Sequence, residues 1–176
     1  NKEKNIPTDL IKNLLSTHSI DLDLKNVKLV SENNFFFKVS KKFKFSDLNI
    51  NSEINLSKLT YKNKFQSIKK YFPEIKELID LKDHKIKFNY NKDITKIIGS
   101  GQILIENNQD KINYEITKKD NKYNFKNFFE VKKNLFLIDE LNYKKEKNKK
   151  ASIKIDGTLM NNKKINFNEI SLIEND

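Results

Sequence analysis

The sequence contains no cysteine, no arginine and no tryptophan, and it has three glycines, two prolines and one alanine among 176 residues. Without cysteine the chain has no disulfides, no zinc–thiolate site and no cysteine nucleophile. Because all 35 basic residues are lysines, the formal net charge of +11 lacks the guanidinium groups that usually contact phosphate and guanine. We attribute this charge to an AT-rich coding bias, which also enriches Asn, Ile and Phe, and we do not expect nucleic-acid binding.

Long apolar runs are also missing. No run approaches the roughly 18–20 residues of a membrane-spanning helix, and no signal peptide is recognisable. The sequence begins at Asn1 and stops at Asp176 within a strand-like pattern. We therefore expect an internal or C-terminal excerpt of a longer protein, with any membrane anchor outside this segment.

The most regular feature of the chain is a series of alternating segments between His84 and Leu172, of which Lys85–Tyr90 is an example. Apolar side chains at every second residue lie on one face of an extended chain. Clusters of Asn, Asp, Lys and Gly between the segments favour chain reversals. The pattern predicts a mainly β fold with minor α, namely a curved antiparallel meander that forms an open groove or half-barrel. One side would be apolar and the other coated with Lys and Asn.

A second pattern, apolar-x-apolar-x-x-apolar-x-apolar, occurs five times. Its copies are residues 22–29, 43–50, 54–61, 136–143 and 165–172. A strict two-residue period would send the second apolar pair to the opposite face, whereas one extra residue, as in a β-bulge, keeps both pairs on one face. We predict bulged strands at these positions, with chance recurrence in an Ile- and Phe-rich chain as the alternative.

Two stretches depart from the strand pattern. After Pro7, apolar residues at helical spacing predict a short helix over 7–17 that packs on the sheet or caps its end. A helical stripe from Ile68 to Ile79 predicts a second short helix within 66–80, starting near Pro73. The apolar side of this helix either plugs the open end of the sheet, or the helix links two β segments at the surface.

These features divide the chain into two parts. Residues 1–81 would hold the N-terminal helix, several strands and the linker helix, and residues 82–176 the antiparallel meander. Because no linker rich in Pro or Gly separates them, we expect one continuous β unit.

We find no constellation of catalytic or metal-binding residues. His18 and His84 lie in separate contexts without further ligands at helical or strand spacing, so we interpret both as structural or solvated. Gly99-Ser100-Gly101 lacks the following Lys-Ser/Thr and helix of a phosphate loop, and we interpret it as a break in a strand pair or a bulge. We therefore predict no enzymatic activity, no cofactor and no metal site.

Two patterns that contain lysine are compatible with binding to nucleic acid or to lipid. Aromatic residues alternate with lysines, as in Phe43-Lys44-Phe45, but strand geometry puts the two types on opposite faces, which disfavours base stacking. The lysine-rich run 144–150 is most simply a solvated hairpin tip, with attraction to anionic lipid headgroups as the alternative.

The repeating strands resemble those of a known family. Ile153–Leu159, a polar turn and then Lys164–Leu172 resemble the β-repeats of AsmA-like bacterial envelope proteins, and so does Lys85–Tyr90 followed by the strand with Gly99-Ser100-Gly101. The style rich in lysine and asparagine is similar to versions from AT-rich alphaproteobacteria. The resemblance covers the second half of the chain well and the first half loosely.

This resemblance implies a periplasmic protein of the cell envelope, anchored in the inner membrane, whose β-groove moves phospholipid towards the outer membrane. The implied partners are phospholipid, adjoining β-repeats of the full-length chain, and a membrane reached through an anchor outside this segment. The alternative is a closed β-sandwich binding or adhesion module without a lipid role. The candidate groove-lining residues share the alternation and are Ile86, Phe88, Tyr90, Ile103, Ile105, Ile112, Tyr114, Ile116, Phe136, Ile138, Ile153, Ile155, Ile165 and Phe167.

Overall fold

The computed structural model describes residues 4–5, 23–62, 69–105, 108–160 and 164–175. Nine strands form one antiparallel sheet: β1 Lys4–Asn5, β2 Asp23–Val39, β3 Phe45–Lys62, β4 Leu78–Asn91, β5 Ile94–Leu104, β6 Gln109–Lys119, β7 Lys122–Val131, β10 Lys150–Met160 and β11 Lys164–Asn175. Two short strands, β8 Phe136–Ile138 and β9 Tyr143–Lys145, pair separately around a 3-10 helix, Asp139–Leu141. The predicted mainly β antiparallel meander is confirmed, and the sheet formed by the described strands is open, with β1 and β11 at its edges.

The strands follow one another across the sheet in chain order, with β7 next to β10. The boundary predicted between residues 81 and 82 falls within β4, which pairs with β3 and β5 on both sides of it. The division into two parts stays a prediction. The helix predicted over 7–17 lies outside the described residues, as does His18.

The bulges predicted from the repeated pattern are confirmed for four of the five copies. In 54–61, Lys28 pairs with Lys58 and Leu29 with Leu56, so Ser57 is the extra residue and the flanking apolar pairs share a face. Equivalent register shifts fall within the described part of 22–29, within 43–50 and within 165–172. We call the face that carries these apolar side chains, together with Ile86, the inner face.

The fifth copy, 136–143, does not form a bulged strand. It forms β8, the 3-10 helix and β9, because Asn142 adopts a left-handed conformation (φ 48°, ψ 37°) that reverses the chain. Asparagine is one of the few residues that enter this region readily, so the prediction of a continuous strand was wrong here.

One end of the inner face is covered by a plug, which we define as residues 69–77 and 132–149. Phe72 and Ile75 from the first segment and Phe136 from the second are buried against the sheet. Tyr61 of β3 pairs with Ile79, and Leu172 of β11 pairs with Ile153. Because Ile79 and Ile153 both belong to the buried cluster, the cluster extends across the sheet from β4 to β10 beneath the plug.

The first plug segment overlaps the helix predicted within 66–80, and that helix is not formed in the described part, 69–80. Only Lys69 and Lys70 are helical, in a 3-10 turn, and β4 already begins at Leu78. Pro73 lacks an amide hydrogen and disfavours a helical conformation in the residue before it. Instead of a helical hydrogen bond, the backbone of this segment forms a hydrogen bond to another segment: Lys76 N–H donates to the Ile105 carbonyl. The segment covers the sheet, as the plug interpretation expected.

At the opposite end of the sheet, short turns join the strands and the β2–β3 hairpin projects beyond its neighbours. The last residue of β4, Asn91, pairs with Asn49, so the hairpin continues past β4 from that point to its turn at Lys41 and Lys42. At about 3.3 Å per residue this projection is about 15 Å long. We call residues 35–48 the finger, and this end of the sheet the open end.

We expect Phe43→Gly to raise the free energy of unfolding by about 0.5–1 kcal/mol. Phe43 lies in the tight turn of the finger with a φ of 54°, a conformation that costs a bulky L-residue about 1–2 kcal/mol and glycine nothing steric. Urea denaturation measures the change. Phe43→Ala is the control, since alanine keeps the Cβ; equal stabilisation by alanine would refute backbone strain as the cause.

Candidate functional site

The inner face is the candidate site, and the register brings eleven of the fourteen predicted lining residues onto it. They are Ile86, Phe88 and Tyr90 on β4, Ile103 on β5, Ile112, Tyr114 and Ile116 on β6, Ile153 and Ile155 on β10, and Ile165 and Phe167 on β11. Two others, Phe136 and Ile138, lie on β8 in the plug and not on the large sheet as predicted. Ile105 follows the end of β5 and packs against the plug.

Exposure increases along the inner face from the plug towards the open end and towards β11. Ile105, Phe136 and Ile153 form part of the buried cluster at the plug. Phe88 and Ile116 in the middle are half-buried, and Phe167 on the edge strand β11 is 55% exposed. A continuous apolar surface therefore emerges from the core and becomes accessible to solvent.

Several inner-face residues were missed by the sequence analysis, mainly on β2 and β3. By register they are Phe35, Phe37, Phe45, Leu48, Ile50, Ile54, Ile97, Phe125, Leu159 and Ile170. The copies of the repeated pattern at 43–50 and 54–61 carried the signal, because the bulge interpretation already placed their apolar pairs on one face.

The three glycines of the chain lie on the inner face, beneath rings from neighbouring strands. A Cβ at Gly99 would lie 2.2 Å from the Tyr114 ring, and a Cβ at Gly101 would lie 2.2 Å from the His84 ring. Gly157 lies beneath Phe125 in the same way. The glycines thus let large rings lie flat across the adjacent strand. As predicted, the Gly99-Ser100-Gly101 segment coincides with a bulge in one strand pair: β4 and β5 shift register opposite Gly101, and the extra residue lies on β4 between Lys82 and Lys85.

His84 and Tyr114 form a polar contact on this face. The imidazole is 1% exposed, with Nε2 3.0 Å from the Gln102 carbonyl and Nδ1 3.3 Å from the Tyr114 hydroxyl. Burial lowers the pKa of His84 and raises the pKa of Tyr114. In the neutral tautomer that fits, Nε2–H donates to the carbonyl and Nδ1 accepts from the hydroxyl. The pair satisfies its own hydrogen bonds, which is typical of a structural role.

We expect acid to destabilise the protein through His84. Because burial lowers its folded-state pKa below the ordinary 6.5, the unfolded state binds the proton more readily, and stability falls as the pH drops below about 6.5. Above that pH the residue is neutral in both states and contributes no slope. Urea denaturation of the wild type and His84→Gln between about pH 5 and 8 measures this. A parallel pH dependence in the two proteins would contradict the assignment.

A cleft of about 600 Å³ lies at the open end, where the finger meets β4. Its lining consists of Phe37, Phe45, Leu48 and Tyr90 together with the polar and charged residues Ser46, Asp47, Lys92 and Asp93. The volume falls in the range of small-molecule sites. The inner face therefore ends in a cleft of ligand size.

The outer face of the sheet differs in chemistry. Cross-strand ion pairs lie along it: Lys96 with Glu115 at 2.8 Å, Lys154 with Glu169 at 2.7 Å and Lys87 with Glu53 at 3.8 Å. Such exposed pairs add little stability but keep that face hydrated. The outer face therefore carries these ion pairs, together with a few exposed apolar side chains such as Ile98, Phe128 and Ile173.

Within the described ranges, no three or more His, Asp or Glu side chains come together in a way that would hold a metal ion. The same ranges contain no helix with the length and apolarity that a bilayer crossing requires. Comparison with protein-family models, with curated proteins and with solved structures finds no match for this chain.

Proposed function

We propose that the chain is a non-enzymatic segment of an AsmA-like envelope protein, and that its inner face holds or conducts phospholipid acyl chains between the inner and outer membranes in the periplasm. The observation that supports this most is the continuous apolar surface that leaves the buried plug and stays half-exposed along a curved sheet. An acyl chain lying there would cover apolar surface that the described parts of the protein leave in contact with water.

The distribution of charge supports the same function. Lysine and glutamate pairs lie on the outer face, so a lipid on the inner face would meet aliphatic and aromatic side chains along most of its length. Charged groups meet the inner face at the open end, where Asp47, Lys92 and Asp93 line the cleft.

A closed β-sandwich is the competing function class, and it would need a second layer over the whole inner face. Among the described residues, the cover consists of the plug with its two short strands, β8 and β9. A packed sandwich would also bury residues such as Ile165 and Phe167, which are 53% and 55% exposed. These observations favour the open groove.

The test is recovery of lipid with the purified protein, measured by native mass spectrometry after incubation with phospholipid. We expect bound phospholipid on the wild type and a several-fold loss on Phe88→Glu, because a carboxylate on the inner face would be buried against acyl chains. Ile98→Glu is the matched control, since Ile98 is 40% exposed and lies on the outer face of β5.

Circular dichroism establishes that the variants keep their β structure. Lipid-free wild-type protein would contradict the proposed function. An equal loss of lipid on the Phe88 and Ile98 variants would contradict the assignment of the inner face.

A further inference from the structure

The finger exposes a larger apolar surface than the binding of lipid in the groove would require. Its exposed apolar residues are Phe35, Phe36, Phe37, Val39, Phe43, Phe45 and Leu48. Phe35, Phe37 and Phe45 lie on the inner face and Phe36 on the outer face, so the finger is apolar on both sides. Single exposed apolar residues are common on protein surfaces, but a contiguous patch on a projecting element marks an interaction surface.

The tip residue makes this point most clearly. Phe43 is 84% exposed and has a positive φ, so it combines an exposed ring with a backbone conformation that bulky residues avoid. The turn itself is well formed, since Phe43 N–H donates to the Ser40 carbonyl at 2.9 Å. A phenylalanine here therefore adds nothing to the fold that glycine or asparagine would not supply, which indicates a role outside the fold.

The charge around these rings identifies the partner. Lys38, Lys41, Lys42 and Lys44 surround the tip, and Asp47, the one carboxylate in residues 35–48, lies 2.7 Å from Lys38. The next turns at the open end, 92–93 and 118–122, add four lysines and two aspartates. Aromatic rings among lysines on a projecting tip match the interface of a bilayer with negative headgroups, where rings lie at headgroup level and lysines contact phosphate.

We propose that the finger docks the open end of the sheet onto a bilayer containing anionic phospholipid, with its phenylalanine rings in the interface and its lysines on the headgroups. The projection of about 15 Å exceeds the roughly 5–10 Å by which interfacial elements enter a membrane. The remaining length keeps the rest of the sheet outside the bilayer. This proposal rests on the proposed function as a lipid groove, because the effect of docking would be to bring the cleft to the membrane surface.

Co-sedimentation with vesicles tests the docking. We expect wild-type protein to bind vesicles of phosphatidylethanolamine and phosphatidylglycerol, and to bind pure phosphatidylcholine weakly. The combined variant Phe37→Ser, Phe43→Gly, Phe45→Ser is expected to bind at least about tenfold more weakly because its apolar contact is lost. Replacing Lys41, Lys42 and Lys44 with glutamine should weaken binding by roughly fivefold per lysine.

The control is Phe128→Ser with Ile173→Ser, two exposed apolar residues on the outer face away from the finger. It is expected to bind vesicles like the wild type. Because Phe43→Gly is expected to stabilise the fold, the single variant separates loss of docking from loss of structure. Equal vesicle binding by the wild type and the finger variant would overturn the proposal.

A second outcome would also overturn it: no vesicle binding, together with a self-association that the finger variant abolishes in sedimentation velocity. That result would assign the finger to a contact between copies of the chain. Lipid recovery by native mass spectrometry without vesicles is measured on Phe43→Gly and on the variant of Lys41, Lys42 and Lys44, because none of these residues lines the cleft. Retained lipid with lost vesicle binding supports docking and leaves the groove intact, whereas a lipid-free wild type that still binds vesicles refutes the groove alone.

Discussion

Asp110→Ala is expected to lower the free energy of unfolding by about 3–5 kcal/mol, a large part of the stability of a typical domain. The carboxylate is 2% exposed and joins β6 to the plug. Its Oδ1 accepts from the backbone N–H groups of Lys132 and Lys133 at 2.8 and 3.1 Å, and its Oδ2 accepts from the Asn134 amide at 2.5 Å. Alanine would leave three donors without this acceptor, all of them in residues 132–134 directly after β7.

Chemical denaturation measures this loss, and two further variants define its cause. Asp110→Asn keeps an acceptor for the backbone N–H groups but turns an NH₂ group towards the Asn134 amide, so an intermediate loss is expected. Glu53→Ala removes a carboxylate whose side chain is 73% exposed on the outer face, and a change within about 0.5 kcal/mol is expected. A small effect of Asp110→Ala would show that the plug does not depend on this contact.

Phe72→Ala is expected to lower the free energy of unfolding by about 3–5 kcal/mol, because the Phe72 ring fills the space between the sheet and the second plug segment. It is 8% exposed, and its centroid lies 5.0 Å from that of Phe136 and 5.9 Å from that of Phe129. Removing it would open a cavity beneath the segment that replaces the predicted helix.

The matched control is Phe43→Ala, which removes the same atoms from a ring that is 84% exposed. Its free energy of unfolding is expected to stay within about 0.5 kcal/mol of the wild type. Thermal or urea denaturation compares the two. Similar losses from both variants would mean that the plug is not packed as a core, and that the curved sheet is held by other contacts.

The strands could be predicted from the sequence because side chains at every second residue of a strand lie on the same face of the sheet. The repeated eight-residue pattern even located the bulges, since the extra residue, such as Ser57, is the one change that keeps both apolar pairs on one side. The copy at 136–143 failed because the same pattern is compatible with a reversal, and Asn142 supplies the left-handed conformation that a reversal needs.

The predicted helix within 66–80 failed for a tertiary reason. Phe72, Ile75 and Ile79 have helical spacing, but their burial depends on where the sheet lies, and Pro73 prevents the intervening turn from being regular. The spacing of apolar residues along the chain could not reveal where the sheet would lie. The expectation that the segment would cover the sheet needed only its apolar side chains, and that part agrees with the structure.

The candidate site was predictable in part. Alternation identified eleven inner-face residues between β4 and β11 and missed others, such as Ile97 and Phe125. It could not tell which of them would meet the plug, as Ile153 does, and which would stay accessible, as Phe167 does. The finger was missed because exposure depends on where neighbouring strands end. That β4 stops opposite Asn49 is a property of the paired sheet and is not visible in residues 35–48 alone.

The central claim is that acyl chains reach the inner face of the sheet. The absence of cysteine allows a single environment-sensitive fluorophore to be attached after Ile116→Cys on the inner face or Ile98→Cys on the outer face. Phospholipid carrying a nitroxide quencher on its acyl chain is then added to each labelled protein. Our account predicts strong quenching of the label at position 116 and little at position 98. Equal quenching at the two positions, or none at position 116, would contradict it.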